Sequence, residues 1–166
     1  MDEAQGWDAR VAAVWDDAVL SDEERIVAID ALAAERPWDD ARALFESAGA
    51  RDSAGHEVEA EALYRAALDA GLDDEHRPQA VIQLASTLRN LGRVAESVEL
   101  LEEQLAAQPT GPYADATAAF LALALASSGH PHRATAVALR ALVPHLPRYH
   151  RSVRAYADEL EQRPPR

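Results

Sequence analysis

The stretch VIQLASTLRNLGRVAESVELLEEQLAAQP, residues 81–109, decides the fold. Val81, Leu84, Ala85 and Leu88 recur at the three- and four-residue steps that place side chains on one helical face. Gly92 ends that helix, and Ser97 and Leu101 belong to the next, which stops before Pro109. The unit is therefore a helical hairpin with a glycine at its corner. The same unit lies on either side of it. Gly55, Gly92 and Gly129 are each 37 residues apart. Five residues after each glycine stands a small residue: Ala60, Ser97 and Ala134. Four residues further stand Tyr64, Leu101 and Ala138. A small side chain lets two helix backbones approach, and a large one a turn later fills the space they leave.

The details of these units resemble the tetratricopeptide repeat pattern. Ala60-x-x-x-Tyr64-x-x-Ala67 matches its second helix, and Pro109 stands twelve residues after Ser97, where that family places a proline. Val81-x-x-Leu84-Ala85-x-x-Leu88 and Ala118-x-x-Leu121-Ala122-x-x-Leu125 match its first helix. Ser47 and Arg51 depart from the pattern, because apolar residues are wanted there. Ser97 replaces alanine, Ala138 is undersized, and the stride is longer than the family's usual 34 residues. More closely, the chain resembles the bacterial tetratricopeptide repeat group 5 family. The matching stretches are ARDSAGHEVEAEALYRAALDAGL (50–72), IQLASTLRNLGR (82–93) and LPRYHRSVRAYADEL (146–160), and the likeness spans roughly residues 38–160. The resemblance implies an all-α fold, a right-handed superhelical stack of antiparallel helical hairpins, and a scaffold for protein–protein contact.

Outside the three hairpins the helix signals continue. Trp7, Val11, Val14 and Trp15 share one face. Ser21-Asp22-Glu23-Glu24 is a capping box opening a helix with Ile26, Ile29, Leu32 and Ala33 on its apolar side. Pro37 stops that helix, and Asp39 is in place to cap the next. Pro144 and Pro147 bracket a break before a last helix near Tyr149 to Glu161. The expected organisation is one domain of about nine helices: an N-terminal hairpin (1–37), three repeat hairpins (38–146) and a C-terminal capping helix (147–162). Trp7, Trp15 and Trp38 are expected to pack the N-terminal helices onto the first repeat.

Composition narrows the function. The 166 residues contain no cysteine, which excludes disulfides, thiolate metal sites and a cysteine nucleophile. No apolar run approaches the roughly 20 residues that span a bilayer. The acidic start, Met1-Asp2-Glu3-Ala4, does not read as a secretory or transit signal, so a cytoplasmic location is expected. A net charge of −13 repels phosphates and argues against nucleic acid. That charge is uneven: residues 1–75 carry 21 acids and six arginines, whereas residues 76–166 carry eight acids and ten arginines. No phosphate loop, nucleophile elbow, zinc-protease or dinucleotide motif is present. His130-x-His132 lacks a third ligand. The expectation is a non-enzymatic module with no cofactor or metal, of open oligomeric state, binding a protein or peptide.

The partner face follows from the repeat. If Val81, Leu84, Ala85 and Leu88 face the core, then Gln79, Gln83, Ser86 and Asn90 form the opposite stripe. One stride earlier the stripe is Arg42, Glu46, Gly49 and Ser53. One stride later it is Ala116, Phe120, Leu123 and Ser127, where it turns apolar. Arg89 lies beside the stripe, one stride from Asp52, which makes an inter-repeat ion pair a natural expectation. The candidate partner-binding residues are Arg42, Glu46, Ser53, Gln79, Gln83, Ser86, Arg89, Asn90 and Phe120. Two alternatives stand. The C-terminal helix, with Tyr149, Val153, Tyr156 and Leu160, covers Phe120 and Leu123, or it roofs a small-molecule pocket. Arg148, His150, Arg151 and Arg154 make a basic patch, read as a solvated helix face.

Overall fold

A computed structural model describes the backbone of residues 3–163 and the side chains from Gly6 onward. Nine α-helices are present among the described residues: α1 (Glu3–Asp16), α2 (Asp22–Ala33), α3 (Ala41–Ser53), α4 (Glu57–Ala70), α5 (His76–Asn90), α6 (Val94–Ala107), α7 (Ala114–Ser127), α8 (Pro131–Leu142) and α9 (His150–Glu161). A short 3-10 turn over Val143–His145 separates the last two, and there is no strand among these residues. The chain divides into two compact units, Met1–Thr87 and Leu88–Arg166, with the division inside α5. In the first, α1 packs on α2, α2 on α3 and α3 on α4; in the second, α6 packs on α7, α7 on α8 and α8 on α9.

The three glycines sit at equivalent corners, after α3, α5 and α7. Their φ angles are 80°, 81° and 84°, a left-handed conformation that glycine adopts without steric cost. The hydrogen bonding repeats with them. The amides of Gly55, Gly92 and Gly129 donate to the carbonyls of Asp52, Arg89 and Ala126. The next amides, of His56, Arg93 and His130, donate to Arg51, Leu88 and Leu125. This is a Schellman ending made three times at the sequence stride.

Ala60, Ser97 and Ala134 are all buried, and so are Tyr64 and Leu101. Ala138 is exposed, so the space-filling position lapses in the third hairpin. Val81, Leu84, Ala85 and Leu88 are buried as the periodicity requires. The departures at Ser47 and Arg51 have a physical explanation. Ser47 Oγ donates to Asp30 Oδ1 at 3.1 Å, and Arg51 grips both Asp30 oxygens at 2.9 and 2.8 Å. A polar triad from α2 and α3 thus replaces the apolar contact. The Arg51 bonds hold the Asp30 carboxyl below its ordinary range.

The Ser21–Glu24 capping box is present in both directions. At α3 the cap is Asp40, not Asp39: the Asp40 side chain accepts from the Ala43 amide at 2.9 Å. Trp7 and Val11 are buried with Ile26, Ile29 and Leu32, and Trp15 packs against that cluster. Trp38 does not join them. It lies in the turn between α2 and α3 and is 89% exposed.

Candidate partner-binding face

On α3 the expected stripe lies under α1. Glu46 is buried and accepts from Trp15 Nε1 at 2.7 Å and from Arg42 at 2.6 Å. Arg42 also reaches Asp8 at 3.5 Å and lies over the Trp7 and Phe45 rings. A Cβ at Gly49 would stand 3.3 Å from the Trp15 ring. Arg42, Glu46 and Gly49 therefore hold α1 in place. Ser53 is exposed, its hydroxyl bonded to the Ala50 carbonyl of its own helix.

On α5, Gln79 is half-buried and donates to the Glu75 carbonyl of its own helix. Ser86 is half-buried. Gln83 belongs to a buried network in the first unit. Tyr64 Oη is 2.6 Å from Gln83 Oε1 and 3.3 Å from Asp52 Oδ2, and Thr87 Oγ1 donates to Asp52 Oδ1 at 3.0 Å. Asp52, expected to meet Arg89, finds hydroxyl partners within its own unit. Burial pushes its carboxyl above the ordinary range, although both hydroxyls act in the opposite direction.

The signs of these two carboxylates predict opposite pH effects. Asp30, with its pKa depressed, contributes stability that is present above the ordinary carboxylate pKa and is lost as pH falls through its folded value. Asp52, with its pKa raised, contributes stability that is full below the ordinary value and is lost as pH rises through its folded value. Thermal midpoints across the acidic range test this. Relative to the wild type, Asp52→Asn should gain stability as pH rises above about 4, and Asp30→Asn should lose it as pH rises from the acid end up to about 4. A pH-independent difference for Asp52→Asn would show that its burial carries no charge penalty.

In the second unit the stripe is open. Asn90 is exposed. Arg89 donates to the Asn90 side chain at 3.1 Å, while its Nε is buried with no partner among the described residues. On α7, Ala116 and Ser127 are exposed, Phe120 is half-buried and Leu123 is 51% exposed. The C-terminal helix α9 packs on α8 and the 3-10 turn. The end of α9 borders a second hollow of about 640 Å³, where Glu161 and Arg163 face Gly129, His130 and His132. A cavity of about 620 Å³ lies among α6, α7 and α8, with Leu105, Ala118, Leu121 and Val137 in its wall. Glu161 is the residue α9 contributes, and it is engaged by Arg140.

His130 Nδ1 contacts Ser128 Oγ at 2.9 Å, and no cluster of metal-ligating side chains occurs among the described residues. No helix there is long and apolar enough to cross a membrane. Sequence reasoning missed the committed state of Glu46 and Gln83. Both stand at groove positions, and only their distant partners, Trp15 and Tyr64, show that they are structural.

A family model described as a tetratrico peptide repeat matches residues 41–160. No curated protein matches the chain.

Proposed function

Because the chain belongs to the tetratricopeptide repeat family, whose repeats mediate protein–protein interaction, we propose that it is a non-enzymatic adaptor that docks a partner peptide on the first-helix face of its later repeats. The observation that carries this reading is the strip of α7 where Leu123 is 51% exposed and Phe120 half-buried, apolar surface that is still in part in water. Such strips act as anchor sites when a partner side chain removes them from water. At the end of α5, Asn90 offers donors and an acceptor, and the half-buried Arg89 beside it offers a cation. These groups suit a peptide carrying an apolar anchor and a carboxylate. Within the first unit, Gln79 and Ser86 are separate half-buried candidates. Ser53 is the exposed candidate on α3, whereas Arg42, Glu46 and Gln83 are already committed within the fold.

The test starts from a partner identified by cross-linking in the native host, with affinity then measured by calorimetry. Phe120→Ala with Leu123→Ala should weaken binding by at least about tenfold, the scale of truncating an interface anchor. The thermal midpoint should barely move, because these side chains are partly in water already. Unchanged affinity in the double variant would remove this face from consideration.

A further inference from the structure

The basic patch at the start of α9 is unusual for so acidic a chain. Arg148, His150, Arg151 and Arg154 are exposed and form no ion pair among the described residues, although most other arginines are paired. Their position is also unfavourable. The first turn of α9 has no acidic residue and no side-chain cap, so its cations sit at the positive end of the helix dipole. Two tyrosines of the same segment are also exposed, Tyr149 at 73% and Tyr156 at 63%, with Tyr156 across the helix from Arg151 and Arg154. Tyr149 holds a left-handed backbone, φ 71°, which is costly for a residue with a Cβ.

The first unit carries the opposite surface. On the outer side of α2, Glu23, Glu24, Val27, Ala28 and Ala31 form a shallow recess of about 360 Å³. Val27 is 69% exposed although the other face of α2 is buried. Glu23 is exposed, with the His56 ring 3.4 Å from its carboxylate. The charge of the units matches this local picture. Met1–Thr87 carries 21 acids and seven arginines, net −14; Leu88–Arg166 carries eight acids and nine arginines, net +1.

We propose that the chain self-associates head to tail, the basic face of α9 in one copy docking on the acidic outer face of α2 around Val27 in the next. The occupant follows from charge. Two α2 faces repel each other, as do two α9 faces, so symmetric pairing of either is disfavoured. The cross-pairing neutralises the unpaired arginines against Glu23 and lays their alkyl stems on Val27. Such an interface is heterologous, with different surfaces on its two sides. Electrostatic steering makes it salt-sensitive.

Sedimentation velocity of the full chain tests the proposal. The wild type should associate on going from micromolar to sub-millimolar concentration, less so in high salt. Arg151→Glu with Arg154→Glu blocks one side, and Glu23→Arg with Val27→Arg blocks the other. Each variant alone should lose association by at least about tenfold. An equimolar mixture of the two should associate again, because the intact α9 face of one meets the intact α2 face of the other. The first variant places acids near a helix N-terminus, so its fold should not suffer. Circular dichroism checks the second. The proposal is overturned if the wild type stays monomeric throughout, as it would if these faces serve other proteins. It is equally overturned if either variant associates like the wild type, or if the mixture stays monomeric. Phe120→Ala with Leu123→Ala should assemble normally, which separates this inference from the peptide-docking face.

Discussion

Tyr64→Ala should destabilise the first unit by about 4 kcal/mol, the cost of deleting a fully buried ring and leaving a cavity. Tyr64 is among the largest side chains without solvent contact, and its ring lies 6.2 Å from that of Phe45. It fills the space beside Ala60 that the small-then-large pattern creates, so alanine there leaves α4 facing a void. The hydroxyl adds a second loss. It is held between Asp52 and Gln83, and burial beside Asp52 keeps it protonated, its pKa raised. Tyr64→Phe isolates that part and should cost about 1–3 kcal/mol, because Asp52 and Gln83 lose a buried partner. Thermal unfolding followed by circular dichroism reads both. For a chain of this length, Tyr64→Ala should lower the midpoint by roughly 10 °C. A loss as small as that of an exposed alanine substitution would mean that the ring is not packed as described.

The parts of this fold that were legible in the sequence depend on local rules. A left-handed corner demands glycine, so Gly55, Gly92 and Gly129 announced three corners. Helical periodicity announced the buried face of α5, and the Ser21–Glu24 box announced the start of α2. Other features depend on partners far along the chain. Ser47 and Arg51 read as flaws in the repeat because Asp30, which they bind, is 17 and 21 residues away. Trp38 was expected in the core because it is large and apolar. A single turn residue carries no periodicity to say which way it points, and this one points to water. The cap of α3 was misplaced by one residue because Asp39 and Asp40 are chemically equal, and only the Ala43 amide distinguishes them. The candidate face divides in the same way. Phe120 and Leu123 were legible as an apolar stretch of the stripe, and the structure adds that α9 packs on α8 and the 3-10 turn.

The α3 end of that stripe yields the second large effect. Glu46→Ala should cost about 2–4 kcal/mol and leave partner affinity unchanged, the reverse of the result expected at Phe120 and Leu123. The carboxylate of Glu46 is the acceptor for both Trp15 and Arg42, and its side chain is 8% exposed. Without it the Trp15 N–H loses a half-buried acceptor, and Arg42 keeps only the longer contact to Asp8. Because Trp15 lies over Gly49, loosening it should also free the C-terminal half of α1. Glu46→Gln retains an acceptor for Trp15 and surrenders the charge opposite Arg42, so it should cost less, about 1–2 kcal/mol. A double-mutant cycle with Trp15→Phe isolates the indole bond, with a coupling of about 1–2 kcal/mol expected for residues in direct contact. Hydrogen exchange in α1 provides an independent readout. Protection lost in α1 together with the lower midpoint would establish Glu46 as the clasp of the N-terminal helix. An unchanged midpoint with weakened partner capture would return Glu46 to the binding face and leave α1 without its polar anchor.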